Sequence, residues 1–254
     1  GLWHVGGVQD QGAHEPALAS GLAIAALVTG VAATLSRRQT AAEGWLARTY
    51  EAFPEQLVGE RFAIRGTHLS GPPTPGRIML VLDAAIAFGS GEHGSTRGCL
   101  RAFERLANRR RPGRILDLGT GTGILAMAAG KRLRKRVLGT DIEPWSVKTA
   151  TQNAKLNGLS HLLRFRRADG WGSPAMRGPY DLVFANILAR PLCMMARALA
   201  RNLAPGGRAI LAGLLDSQAN WVLAAHRRQG LVLEAKKHEG QWTTLVLHKP
   251  AHVA

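Results

Sequence analysis

The chain has 254 residues, 46% of them hydrophobic and 20% charged, which excludes wholesale disorder and leaves room for one full α/β domain with a smaller appendage. Two cysteines, Cys99 and Cys193, exclude a disulfide framework and a four-cysteine zinc site, and suit a reducing, cytoplasmic compartment. Lys and Arg number 33 against 17 Asp and Glu; the net charge of +16 allows a polyanionic neighbour, and equally a solvated basic coat.

Residues 1–55 read as a small α/β unit, with a strand at Trp3–Val8, a helix near Pro16–Val28, a strand at Val31–Leu35 and helical spacing over Ala41–Phe53. The uncharged run Pro16–Ser36 is long enough to cross a bilayer, but it is mostly small residues and breaks at Thr29-Gly30, so no membrane helix is expected. No basic segment precedes it, and a signal peptide is not expected either. Residues 56–77 read as a linker or hairpin: strands at Arg61–Ile64 and Ile78–Leu82 flank the turn-rich Gly71-Pro72-Pro73-Thr74-Pro75-Gly76, a hinge or a plain hairpin connection.

From residue 78 to 254 a second domain is expected. Strands read at Arg114–Leu118, Val137–Thr140, Leu162–Arg166, Leu182–Ala185 and Ala209–Leu214, with helices between them. Pro144 and Asn157-Gly158 supply start and stop chemistry for the helix after Asp141, and Asp216-Ser217 reads as the cap of a helix ending at Gly230. Two closing strands, Leu231–Glu234 and Thr243–Leu247, are joined so tightly that they must be antiparallel. Alternation of this kind predicts an α/β fold: a mostly parallel sheet, helices on both faces, and an antiparallel last strand.

The sharpest local signal is Asp117-Leu118-Gly119-Thr120-Gly121-Thr122-Gly123, between an apolar strand and an apolar helix. Glycines there permit a tight turn and close approach of a ligand to the backbone, and ligands of open α/β sheets bind at the carboxyl ends of the strands. Asp141 ends the next strand, where a carboxylate accepts both hydroxyls of an adenosine ribose at about 1.5–3 kcal/mol per charged hydrogen bond. A dinucleotide site would read G-x-G-x-x-G and keep a helix terminus for pyrophosphate. Here the spacing is G-x-G-x-G behind Asp117, an acid that repels phosphate but tolerates the cationic methionine end of S-adenosylmethionine.

The arrangement resembles the Rossmann-like S-adenosylmethionine-dependent methyltransferases, with Pro205-Gly206-Gly207 like the turn before their fifth strand. Two further segments, Ala87-Phe88-Gly89-Ser90-Gly91-Glu92-His93-Gly94-Ser95-Thr96 and Ala185-Asn186-Ile187-Leu188-Ala189, are similar to those of the ribosomal protein L11 methyltransferases. Ser90 and Ser95 stand for that family's threonines, and Asp83-Ala84-Ala85 for Asp-Pro-Gly. The resemblance implies a cofactor set of Thr96, Asp117, Gly119, Gly121, Asp141 and Asn186, with Asn186 also at the methyl-transfer centre and no metal. Taken alone, Thr96 would read as a helix cap, Asn186 as a cap before Ile187, and His93 equally as a structural histidine or a cofactor contact.

The resemblance further implies a monomeric protein N-methyltransferase acting on lysine side chains, the N-terminal amine, or both, of a large-subunit ribosomal protein. Ribosomal RNA could lie nearby, and residues 1–55 would be a shortened substrate-recognition domain. Two alternatives stand beside it: an RNA or other protein methyltransferase, and a non-catalytic RNA-binding assembly factor on the same fold. Asn186-Ile187-Leu188-Ala189 lacks the aromatic that would stack a flipped base.

Overall fold

The structure, a computed structural model, describes residues 54–83, 94–172 and 176–251, all within one compact unit spanning residues 46–254. The elements expected over residues 1–53 and the segment 84–93, His93 included, lie outside the described residues.

Gln56–Val58 (β1) and Phe62–Gly66 (β2) pair antiparallel, and β2 then pairs in parallel with Ile78–Leu82 (β3). The proline-rich loop is therefore not a hairpin turn. It carries the chain back to the start of β2, where Ile78 N–H donates to the Arg61 carbonyl. Nor is the stretch a free hinge: the largely buried Arg65 guanidinium donates to the carbonyls of Leu69, Ser70, Gly71 and Pro72, and meets Glu55 at 3.1 Å. Val58, Phe62 and Ile64 are fully buried in the core, whereas Leu57, Glu60 and Arg61 beside them are exposed.

Five helices follow among the described residues: Gly94–Arg109 (α1), Ile124–Leu133 (α2), Pro144–Leu156 (α3), Ala189–Asn202 (α4) and Asp216–Arg227 (α5). They alternate with Ile115–Leu118 (β4), Val137–Asp141 (β5), Leu163–Arg167 (β6), Tyr180–Asn186 (β7) and Leu203–Leu215 (β8) before Val232–Glu239 (β9) and Trp242–His248 (β10) close the sheet. The seven strands are ordered β6-β5-β4-β7-β8-β10-β9. The five strands β4 to β8 run parallel, and β10 lies antiparallel to both neighbours. Pro205-Gly206-Gly207 lies within β8, not before it: Gly206 (φ +73°) and Gly207 exchange hydrogen bonds with Lys249.

Each face of the sheet has its own core. One packs α1 and α2 and carries the small sheet through Phe103, which stacks on Phe62 (centroids 6.1 Å apart) and meets the edge of Phe184 at 5.3 Å. The other packs α4 and α5 around Leu192, Leu199, Leu203, Tyr180 and Val222. The local signals work for α3, which has Pro144 in its first turn and Asn157 then Gly158 (φ +69°) at its end. They mislead for α5. Leu215 occupies the cap position, and the Asp216 carboxylate instead accepts from the Thr243 hydroxyl and meets His238 Nδ1 at 2.8 Å.

Candidate active site at the carboxyl ends of the strands

The turn after β4 is held by the neighbouring strand. Gly119 and Thr120 N–H both donate to the Thr140 carbonyl on β5, at 2.8 and 2.9 Å. Gly119, Gly121 and Gly123 have φ of +69°, +52° and +82°, values that L side chains reach only with strain. Their surroundings differ. A Cβ on Gly119 would lie 2.2 Å from Ile187 Cγ2, so its close approach is to the segment after β7. A Cβ on Gly121 would meet nothing within 4 Å, so this glycine opens onto the crevice.

Asp117 is 1% exposed at its place in β4. One carboxylate oxygen accepts from the Thr120 hydroxyl at 2.6 Å and from Ala126 N–H at 3.1 Å, tying the turn to the start of α2. The other, Oδ1, is buried without a hydrogen-bond partner. Burial pushes the Asp117 pKa up to about 6, against the lowering effect of those two donors. Asp141 closes β5 beside the turn; its oxygens accept from Gly121 N–H at 2.9 Å and Glu143 N–H at 3.0 Å. Each oxygen keeps a lone pair for a ligand hydroxyl.

Thr96 and Asn186 come together although 90 residues separate them. Asn186, at the end of β7, donates through Nδ2 to Thr96 Oγ1 at 3.3 Å. Thr96 is 1% exposed and lies inside the first turn of α1, which begins at Gly94, so it does not cap that helix. Neither does Asn186 cap α4, whose cap position is Leu188. With one Nδ2 hydrogen engaged, Asn186 keeps its carboxamide oxygen and its second N–H for a ligand.

The expected residues thus form two groups on adjacent strand ends: Asp117, Gly119, Gly121 and Asp141 around the turn, Thr96 and Asn186 beyond it. Ile187 joins them by packing over Gly119. Sequence reasoning missed it because an isoleucine between strand and helix carries no chemical signal. An orphaned buried carboxylate oxygen, an open glycine and a strand-end acid suit a cationic ligand that bears hydroxyls. Among the described residues, no three metal-ligating side chains converge, and no helix is long and apolar enough to cross a membrane.

Strand order, glycine turn and strand-end acid together define an S-adenosylmethionine-dependent methyltransferase of Rossmann-like architecture. The family model for ribosomal protein L11 methyltransferase (PrmA) matches residues 16–250, and the chain belongs to that family. It is 45% identical over 222 residues to the ribosomal protein L11 methyltransferase of Bradyrhizobium diazoefficiens, covering 86% of this chain and 75% of the relative. Against that of Rhodopseudomonas palustris, identity is 42% over 220 residues, covering 86% and 74%. The crystal structure of ribosomal protein L11 methylase from Lactobacillus delbrueckii subsp. bulgaricus matches with a TM-score of 0.69 and 28% identity, over 76% of this chain and 96% of that one.

Proposed function

We propose that the chain transfers methyl groups from S-adenosylmethionine to lysine side chains, the N-terminal amine, or both, of ribosomal protein L11. The observation that carries this reading is the Thr96–Asn186 pair beside the glycine turn, which leaves a carboxamide oxygen free at the end of β7. When bound, the cofactor supplies a methyl group activated on a sulfonium. Asp141 would hold the ribose hydroxyls, Gly121 would admit the ligand against the backbone, and the Asp117 carboxylate would balance its positive charge.

The acceptor must arrive as a neutral amine. A lysine with an ordinary pKa near 10.4 costs about 4.6 kcal/mol to present neutral at pH 7, whereas an α-amine near 8 costs about 1 kcal/mol. The net charge of +16 favours the neutral form of a bound amine. The carboxamide oxygen of Asn186 would accept one N–H and so aim the lone pair, a contribution of alignment, since a carboxamide takes no proton at neutral pH. The acceptor proton would pass to solvent.

The same reading makes residues 1–55 the substrate-recognition region, the working form a monomer and the compartment the cytoplasm, where ribosomal RNA could lie close to the substrate. Its test is incubation with radiolabelled S-adenosylmethionine and purified L11, followed by peptide mass spectrometry. Methylated lysine or N-terminal residues are expected. Label on RNA instead of L11, or no transfer despite bound cofactor, overturns it.

A further inference from the structure

The opposite end of the sheet carries chemistry of its own. Arg109 ends α1, with Arg110 and Arg111 following it before β4, and Arg132 and Arg134 flank the end of α2 before β5. Parallel strands bring both segments to the same end, and their five arginines line one cavity of about 420 Å³ together with Asn108 and Leu133. The glycine turn follows β4 and therefore lies at the other end of the strands.

Among the described residues no acidic side chain neutralises this cavity. No carboxylate lines it there, and none of the five guanidinium groups is ion-paired. Arg132 donates through one terminal nitrogen to Asn108 Oδ1 at 3.0 Å, which fixes its plane, while its Nε is buried without a partner. Lys131, the neighbouring base in sequence, turns away and caps the Met79 carbonyl of β3. The C-termini of α1 and α2 favour nearby cations, which permits the cluster without giving it a counter-ion.

The basic rim continues across the strand ends. Arg114, the residue before β4, donates to the Arg177 carbonyl at 2.6 Å. Arg177 lines a second cavity of about 660 Å³ with Arg197, Arg201 and Trp171, again with no carboxylate among the described lining residues. One carboxylate interrupts the rim at this junction, Asp181, which accepts from Gly113 and Arg114 N–H at 2.9 and 2.8 Å; the two basic hollows on either side of it suit a ligand that repeats its negative charge at intervals.

We propose that this rim binds the phosphodiester backbone of a folded RNA, independently of the methyl-transfer site. Guanidinium forks match phosphate oxygens, and a polynucleotide presents them at regular spacing. The described lining of the first cavity has no aromatic side chain and suits backbone contact alone, while the second offers one, Trp171. A lipid surface fits less well: of the large exposed apolar residues described, only Met194 borders either cavity, so an apolar anchor is lacking there. This deepens the RNA-neighbour part of the reading above and does not depend on which amine is methylated.

The test is fluorescence anisotropy of a labelled ribosomal-RNA hairpin titrated with the full chain over a range of salt. Two variants remove the same charge: R109Q/R110Q/R111Q at the rim, and R61Q/R164Q/R166Q at exposed positions elsewhere. The rim variant is expected to bind at least about tenfold more weakly, with a salt slope shallower by about 3, one for each phosphate it no longer neutralises. The pair R110Q/R111Q, both exposed and outside α1, is expected to move the same way by about two-thirds of that slope. Methylation of free L11 is expected to be unchanged in both rim variants.

Equal weakening by the two charge-matched triple variants would reduce the effect to bulk charge and overturn the site. So would rim-dependent binding of phosphatidylglycerol vesicles as tight as that of RNA, or loss of free-L11 methylation on altering the rim. Wild-type protein that binds RNA but methylates nothing would sink the catalytic reading and leave this one standing.

Discussion

Asn186 gives its carboxamide N–H to Thr96 Oγ1 across 3.3 Å, a bond between the end of β7 and the first turn of α1. Removing either partner has a different expected cost. Asn186→Ala deletes the aligned oxygen and is expected to lower kcat roughly a hundredfold. Thr96→Val removes only the bond that orients it, at about tenfold, or about 1.4 kcal/mol. The double variant is expected to be no slower than Asn186→Ala alone, and steady-state kinetics on L11 closes the cycle.

Asp141 holds the turn as well as any ribose. Asp141→Ala loses both roles and is expected to raise the cofactor Kd by roughly a hundredfold or more. Asp141→Asn can keep one backbone bond and is expected to fall between wild type and alanine. Isothermal titration with S-adenosylhomocysteine measures both.

The two crevice glycines separate packing from binding. Gly119→Ala drives a Cβ to 2.2 Å from Ile187 Cγ2 and is expected to lower the Tm of the ligand-free protein. Gly121→Ala meets open space, so beyond the roughly 1–2 kcal/mol for its positive φ, its loss is expected in cofactor affinity. Thermal melts with and without cofactor distinguish the two.

Asp117 makes stability fall with rising pH. Its folded pKa of about 6 lies above the unfolded value near 3.9, so between these values the folded state holds more protons. This contribution is complete below about pH 4 and is lost as pH rises through about 6, a difference of about 2–3 kcal/mol. Asp117→Asn keeps an acceptor for Thr120 and Ala126 and removes the buried charge. It is expected to raise Tm at pH 7 and leave it unchanged at pH 4.

Phe103 is fully buried between Phe62 of the small sheet and Phe184 of the large one. Phe103→Ala is expected to cost about 3–5 kcal/mol in urea unfolding, because the cavity it leaves is bounded by two sheets.

Much of the fold was legible where the signal is local. Pro144, Asn157 and Gly158 bracket α3 by backbone chemistry alone, and the tight link before Trp242 made the last pair antiparallel. What escaped depends on distant partners. Arg65 gathers the carbonyls of the loop that follows it, and β2 and β3 are parallel where a hinge or a plain hairpin was expected. Asp216 looks like a cap until Thr243 and His238 claim its carboxylate. In the site, residue types and spacing indicated Asp117, Gly121 and Asp141, but the turning of Gly119 toward Ile187 is visible only in three dimensions.

β10 sits between β8 and β9, so β9 reaches the sheet only through a strand translated after it. During synthesis, β8 therefore offers a bare apolar edge until residues 242–248 have left the ribosome. A nascent chain stalled before Trp242 would therefore be the aggregation-prone species, its unpaired β8 edge open to another chain.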